Sequence, residues 1–254
     1  MKIDILGCDG GLGGERRTVS LRIDHDILID AGTGAGDLTL REIVAIDHIF
    51  LTHSHFDHIA LLPMLIDAGA GYRDQPVTVH ALPQTISALR ECVFDGRLWP
   101  DYSSMPSPDA PYFRYESVAV GAQITLGERR ITPLPAKHSV PGVGYLADCG
   151  AGGFVYSGDT TLDDNFWIAL NRIPQLQYLM IECTFLNDHA AVAERSGHMT
   201  PALLEQGLKR LASSPQLLIA HMESGREEET LRELAHHCGE FHPRRPLRGE
   251  TFTL

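Results

Sequence analysis

The sequence lacks long hydrophobic runs, a secretory leader and paired cysteines. Its apolar stretches, such as residues 59–66, are broken by Pro63 and fall far short of the ~20 residues that span a bilayer. The first residues have no apolar core followed by a cleavage site, so they do not read as a secretory signal. None of the five cysteines belongs to a Cys-x-x-Cys pair. We therefore expect a cytoplasmic protein without a membrane segment.

Positive charge is also scarce. The chain has 21 basic and 33 acidic residues, which give a formal net charge of −12. A surface of this sign repels the phosphate backbone, and two bound divalent ions would still leave a net charge of about −8. Long nucleic acids are therefore not expected as partners.

What is present is the composition of a soluble globule. Of the 254 residues, 43% are hydrophobic, which is enough for one domain spanning residues 1–254. Periodicity predicts strands at 2–6, 17–23, 26–29, 48–51, 77–81, within 112–155, at 177–181 and at 216–220, and helices at 57–68, 83–94, 201–212 and 227–238. Two successive mixed halves predict two stacked sheets with helices outside. Residues 99–111, with four prolines, are the longest predicted loop.

The strongest local signal is a cluster of metal-ligand side chains directly after the apolar segment 49–51. It contains His53, His55, Asp57 and His58. In an extended strand end His53 and His55 project to one side, and a turn into a helix directs the other two side chains to a nearby point. Imidazole and carboxylate ligands suit zinc, with manganese or iron as alternatives. A polar loop is the other interpretation, but three imidazoles have little packing use there.

Four more residues of ligand type each follow an apolar strand. They are Asp30, His138, Asp159 and His221. Functional residues gather at strand ends, so we expect them to join the first cluster. A single histidine considered alone is more often a surface or core residue.

These residues resemble the H-x-H-x-D-H motif and later ligands of the metallo-β-lactamase fold, an αββα four-layer sandwich. The resemblance covers nearly the whole chain and implies two divalent metal ions, with zinc as the first choice. It implies His53, His55 and His138 at one metal, Asp57, His58 and His221 at the other, and Asp159 as the bridge. It also implies that Asp30 orients a ligand histidine. An aspartate at the bridging position, where β-lactamases have cysteine, disfavours a true β-lactamase.

Other stretches are similar to class II 3′,5′-cyclic-nucleotide phosphodiesterases, and next to ribonuclease Z. They are residues 93–100, which end in Trp99-Pro100, residues 181–185 around Glu182, and residues 197–201, which read Gly-His-Met-Thr-Pro. Phe56, Asp95 and Thr184 stand where Leu, Asn and Ser are usual. Only 20 residues separate His138 from Asp159, which leaves no room there for an arm that grips tRNA.

The resemblance implies hydrolysis of cyclic AMP or cyclic GMP to the 5′-monophosphate. The nucleophile would be a metal-bound hydroxide, because coordination lowers the pKa of water to about 7. Asp57, His198 and Glu182 are the candidate catalytic residues, with His198 donating a proton to the leaving ribose oxygen. Thr200 either serves the phosphate or caps a helix, and Trp99 either stacks on the base or packs in the fold.

Three alternatives stay open. One is a tRNA 3′-end endonuclease like ribonuclease Z, and another is a different ester or thioester hydrolase of the same fold. The third is a module that senses a nucleotide or a metal without turnover. The apolar loop around Trp99 is a candidate homodimer interface, and the sequence leaves both the native metal and the preferred base open.

Overall fold

The computed structural model describes residues 1–254 and consists of short strands and helices that alternate along the chain. The strands are β1 Lys2–Gly7, β2 Ser20–Ile23, β3 Ile27–Ile29, β4 His48–Phe50, β5 Val77–Ala81, β6 Pro106–Ser107, β7 Ala110–Pro111, β8 Phe113–Ser117, β9 Ile124–Leu126, β10 Arg129–Ala136, β11 Gly142–Asp148, β12 Gly153–Tyr156, β13 Leu176–Glu182, β14 Gln216–Ala220 and β15 Thr251–Thr253. The helices are α1 Leu40–Ala45, α2 Phe56–Ile59, α3 Leu62–Ala70, α4 Pro83–Cys92, α5 Asp164–Leu170, α6 Ala190–Ser196, α7 Pro201–Leu208 and α8 Glu227–His237.

The strands form two large sheets that stack face to face. One has the order β15-β1-β2-β3-β4-β5-β8, and the other has the order β14-β13-β12-β11-β10-β9. Side chains from both sheets, among them Ile5, Phe50, Tyr145 and Phe154, form the apolar layer between them. Two further apolar clusters pack α3 and α4 on the first sheet, and α5, α7 and α8 on the second. The αββα sandwich predicted from the sequence is thus confirmed.

Parallel pairing brings the functional strand ends to one edge of the sandwich. Strand β3 pairs parallel with β4 in the first sheet, and β12, β13 and β14 run parallel in the second. Parallel neighbours place their carboxyl ends side by side, where ligands commonly bind. The residues that follow these strands, from Asp30 to His221, therefore meet in one place.

The prediction of one continuous helix over 57–68 is wrong, because the structure has two helices there, α2 and α3. The backbone of Ala31, in the loop after β3, takes two hydrogen bonds that a continuous helix would use itself. Its N–H donates to the carbonyl of His58 at 2.7 Å, and its carbonyl accepts from the N–H of Leu61 at 2.9 Å. Pro63 lies in the first turn of α3, where its missing N–H costs nothing. A contact from the loop after β3 therefore decides where each helix begins.

Several other boundaries also differ from the sequence expectation. The helix predicted over 201–212 ends at Leu208, and the predicted loop 99–111 contains the small hairpin of β6 and β7. Helices α1, α5 and α6 were not predicted. Helix α1 carries a full capping box between Thr39 and Glu42, a local signal that could have identified it. None of the helices combines the length and apolar character needed to cross a bilayer.

A pair of histidines occupies neighbouring strands of the first sheet, apart from the ligand cluster. His48 Nδ1 lies 3.0 Å from His80 Nε2, and the His80 ring stacks on Phe50 at 4.2 Å. Glu116 Oε2 is 3.8 Å from the other nitrogen of His80. Burial, and then the neighbouring His48, lower the pKa of His80 from 6.5 to about 4.

This pair predicts a loss of stability in mild acid. The unfolded chain binds a proton at His80 near pH 6.5 and the folded chain only near pH 4, so the free energy of unfolding should fall as pH drops through that window. The free energy of unfolding of the wild type should be lower at pH 4.5 than at pH 7.5. His80→Phe keeps the ring stacking and should make this difference smaller by roughly 1–3 kcal/mol. Urea unfolding at both pH values measures it. His236→Phe, at an exposed position, is the matched control; an equal pH dependence in wild type and His80→Phe would contradict the assignment.

Candidate metal centre

The seven side chains predicted as ligands converge at the edge where the strand ends meet. His53, His55, His138 and Asp159 form one group, and Asp57, His58, His221 and Asp159 form another. Within each group the ligand atoms lie within 4.8 Å of one another. Asp159 belongs to both groups, and the partition is the one that the resemblance implies.

Asp159 is the centre of this arrangement. Its Oδ2 lies 3.4 Å from Nε2 of both His58 and His221. The same oxygen is 3.7 Å from His53 Nε2 and 3.8 Å from His138 Nε2. Four imidazole nitrogens thus surround one carboxylate oxygen whose side chain is 2% exposed.

The donor atoms fit divalent metal ions. Ligands of a metal such as zinc lie near 2 Å from the ion, so two ligand atoms on one ion are roughly 3–3.5 Å apart. His138 Nε2 and His55 Nδ1 are 3.0 Å apart, and His58 Nε2 and His221 Nε2 are 3.3 Å apart. His53 Nε2 and Asp159 Oδ1 are buried without any hydrogen-bond partner. Buried polar atoms without partners are rare and costly, so these point to cations as the groups that would satisfy them.

The three histidines of the first ligand group are held in the neutral form that binds metal ions. Burial, more than the repulsion between neighbouring imidazoles, lowers the pKa of His53, His55 and His138. A neutral imidazole keeps a lone pair for a metal. At His58 and His221 burial is the largest single influence and opposes the charge, but the neighbouring carboxylates, Asp159 foremost, together outweigh it and raise the pKa of both.

The outer nitrogens of the ligand histidines are held by hydrogen bonds. His58 Nδ1 donates to Asp30 Oδ2 at 2.7 Å, and His138 Nδ1 donates to the carbonyl of Gly197 at 3.0 Å. His221 Nδ1 is 3.0 Å from the hydroxyl of Thr184. Each bond keeps the proton on the outer nitrogen and directs Nε2 inward.

Asp30 lies in the position that the sequence predicted for it. Its carboxylate also accepts from the N–H and the hydroxyl of Thr52, both at 2.8 Å. Burial is the largest influence and raises the pKa of Asp30, although His58 opposes it. Asp30 and His221 both have φ near +56°, a left-handed conformation unusual for residues other than glycine. Such backbone strain gathers at functional sites, and here it turns each side chain into the cluster.

His198 and Glu182 form a hydrogen-bonded pair beside the ligands. His198 Nδ1 donates to Glu182 Oε1 at 2.7 Å, which leaves Nε2 free, and its ring stacks on that of His221 at 5.4 Å. Burial opposes protonation, but the attraction of Glu182 outweighs it and raises the pKa of His198 to about 9. Glu182 is fully buried and also accepts from the N–H groups of Thr160, Thr184 and Met199 and from the Thr184 hydroxyl.

An open cleft of about 450 Å³ gives access to the cluster. Its walls include Gly10, Gly11, Phe185, Glu223 and Ser224. A Cβ atom at Gly10 would lie 2.7 Å from the carbonyl of His221, so only glycine lets the first loop approach the ligand this closely. Asp57 and Asp159 both line this space, and Asp57 is the more accessible carboxylate, with 33% of its side chain exposed against 2% for Asp159.

Thr200 and Trp99 lie outside this cleft. Thr200 accepts from Leu203 N–H at 3.4 Å as the N-cap of α7, and it lines a neighbouring cavity behind His138. Trp99 packs against the apolar cluster between the first sheet and its helices. Helix capping and packing account for both residues.

Three contributors were not identified from the sequence. Thr184 appeared only as a departure from a motif, yet its hydroxyl contacts Glu182, His198 and His221. Glu223 and Ser224 were not considered at all. Their position two and three residues after His221, in the loop that follows β14, was the available signal.

Comparisons with known proteins agree with this geometry. A model described as a beta-lactamase superfamily domain matches residues 25–222. A probable 3′,5′-cyclic-nucleotide phosphodiesterase from Yersinia pestis is 30% identical over 182 residues, which cover 66% of this chain and 51% of that protein. A ribonuclease Z from Crocosphaera subtropica is 29% identical over 155 residues, 57% of this chain and 47% of that protein. The chain therefore spans about half the length of these relatives.

A solved structure shares the fold over the full length. The crystal structure of unliganded yeast PDE1 superposes with a TM-score of 0.79 at 18% identity, covering 100% of this chain and 99% of that one. At this level of identity the likeness establishes the fold.

The geometry predicts how metal affinity responds to Asp30. Purified protein should bind two divalent ions per chain, and Asp30→Asn should weaken binding by roughly 10- to 100-fold because the amide cannot accept every hydrogen bond of the carboxylate. Elemental analysis gives the stoichiometry, and competition with a chromogenic chelator gives the affinity. Asp26→Asn, on a carboxylate that pairs with Arg129 away from the cluster, is the control. Equal affinities in wild type and Asp30→Asn would remove the orienting role.

Proposed function

The chain belongs to the beta-lactamase superfamily, a family of metal-dependent hydrolases, and within it we propose that the protein hydrolyses 3′,5′-cyclic nucleotides to 5′-monophosphates. The observation that carries the proposal is the His198–Glu182 pair beside two ligand groups that share Asp159. The Yersinia pestis relative, named a probable cyclic-nucleotide phosphodiesterase, supports the same reaction.

The two ligand groups would hold two divalent ions, for which zinc is our proposal. Ions held there would lower the pKa of a bound water to about 7 and would withdraw negative charge from a phosphate. Asp57 is the more exposed of the two carboxylates that line the cleft, so it would accept the proton that an attacking water loses.

His198 would serve the leaving group. As the water oxygen bonds to phosphorus, the P–O3′ bond breaks, and the ribose oxygen needs a proton to leave as a hydroxyl. Nε2 of His198 is free and lines the cleft, whereas Nδ1 is held by Glu182. Glu182 positions the ring and favours the imidazolium that donates this proton. The water supplies one proton and the ribose receives one, so the site returns to its starting charge.

Ribonuclease Z activity is the second candidate, because several relatives carry that name. In this chain β11 and β12 occupy the segment between His138 and Asp159, with residues 149–152 as their turn. A net charge of −12 also opposes binding of a tRNA. A small cyclic nucleotide suits both the cleft and the charge better.

A substrate panel tests the proposal. Metal-loaded protein should convert cyclic AMP or cyclic GMP to the 5′-monophosphate, identified by chromatography against the 3′-isomer. Precursor tRNA and a chromogenic cephalosporin serve as the competing substrates. Cleavage of the tRNA after the discriminator base, without turnover of either cyclic nucleotide, would replace this function with the endonuclease.

The role of His198 predicts a dependence on the leaving group. His198→Ala should lower kcat for a cyclic nucleotide by roughly 10²- to 10⁴-fold, because an alkoxide leaves poorly without a proton. The loss should be far smaller with bis(p-nitrophenyl) phosphate, whose nitrophenolate leaves unprotonated. Metal content measured on each preparation controls for damage to the ligands. Equal losses on both substrates would show that His198 does not protonate the leaving group.

A further inference from the structure

Two polar atoms on the cleft wall have no partner and no part in the mechanism above. They are Glu223 Oε2 and Ser224 Oγ, both buried without a hydrogen bond. The nearest cationic candidate for Glu223 is His189, whose Nδ1 is 3.7 Å away and thus beyond a hydrogen bond. The Glu223 side chain as a whole is 37% exposed and lines the cleft, so a rotation of this side chain would present both carboxylate oxygens to a ligand there.

The fold does not require a carboxylate at this position. The backbone of Glu223 holds the turn, since its N–H donates to the carbonyl of Thr184 and its carbonyl accepts from Arg226. The side chain makes no hydrogen bond within the protein. In a chain of net charge −12, a carboxylate facing a phosphate site adds repulsion. His189, at 3.7 Å, offsets this repulsion only when it is protonated, whereas a ligand that brings hydrogen-bond donors would offset it directly.

Glu223 lines the same cleft as His198. In the proposed reaction the leaving O3′ would face His198, so the sugar and base would extend past that residue. The Phe185 ring is 5.6 Å from the His198 ring, and the Thr184 hydroxyl is 3.2 Å from His198 Nδ1. Glu223 is bonded to Thr184 through its backbone and borders the same wall. A purine that leaves the metal centre here meets the Phe185 ring and then Glu223.

We propose that Glu223 recognises the Watson–Crick edge of the base and makes guanine, rather than adenine, the preferred purine. This inference rests on the proposed hydrolysis of cyclic nucleotides. An ionised carboxylate only accepts hydrogen bonds, and guanine presents two adjacent donors, N1–H and the N2 amino group. Adenine presents the N1 lone pair at the same place, which a carboxylate repels.

The discrimination follows from buried polar groups left unpaired. A site that hydrogen-bonds its substrate rejects an analogue that lacks the matching donors far more strongly than an apolar pocket does. We expect cyclic GMP to exceed cyclic AMP in kcat/KM by roughly 10- to 100-fold. The difference should reside mainly in KM, because the base is remote from the reacting phosphorus.

The test exchanges the acceptor for a group that pairs with adenine. Glu223→Gln brings an amide that donates to adenine N1 and accepts from its N6 amino group, but that opposes the guanine N2 amino group with a second donor. The ratio of kcat/KM for cyclic GMP over cyclic AMP should therefore fall by at least 10-fold. Glu194→Gln, at a carboxylate that lines the neighbouring cavity, is the matched control and should keep the wild-type ratio.

Binding of the products separates this inference from the proposed reaction. Titration calorimetry on metal-loaded protein gives dissociation constants for GMP and AMP without any turnover. GMP should bind more tightly to wild type, and Glu223→Gln should reverse the order. If this reversal is observed but neither cyclic nucleotide is hydrolysed, the recognition of guanine by Glu223 is supported and the proposed phosphodiesterase activity is rejected. Equal binding of both nucleotides, or an unchanged ratio in Glu223→Gln, would overturn the inference while the phosphodiesterase stands.

Discussion

The candidate metal centre depends on the carboxylate of Asp159, which four imidazole rings surround. Asp159 follows β12 and brings a single oxygen within 3.8 Å of imidazoles from both sheets, with His53 and His58 on one side and His138 and His221 on the other. An arrangement of this kind has no value for packing and is held at a cost in desolvation. Metal cations between the nitrogens and the oxygen would make it favourable, and without them protons on His58 and His221 supply part of the positive charge. The rest of the fold serves to bring its members to the same point.

Two sheets that share an apolar layer meet this requirement. The ligand segment 52–58 ends a strand of the first sheet, whereas Asp159 and His221 end strands of the second, so the relative position of the sheets sets every distance in the cluster. Ala31 couples this geometry to the backbone. Its hydrogen bonds to His58 and Leu61 hold the His58 side chain within hydrogen-bond distance of Asp30.

The sequence predicted the parts of the molecule whose information is local. The motif from His53 to His58 and the apolar strands before Asp159 and His221 were sufficient to predict the layered fold and which side chains converge at its edge. The break between α2 and α3 was missed because it arises from Ala31, which is distant along the chain. Glu223 was missed for a related reason: a lone glutamate after a strand looks solvated until the tertiary structure shows its buried, unpaired oxygen. Tertiary contacts, and not propensities, decide such positions.

Glu182 joins two functions in one side chain. It holds Thr160, the residue next to Asp159, with one oxygen, and it shares that same oxygen with His198. A shift of this carboxylate would move the bridging aspartate and the imidazole together. A substitution at Glu182 that repositions His198 would therefore also shift Asp159, and a redesign of the proposed reaction for a different leaving group would have to adjust both residues together.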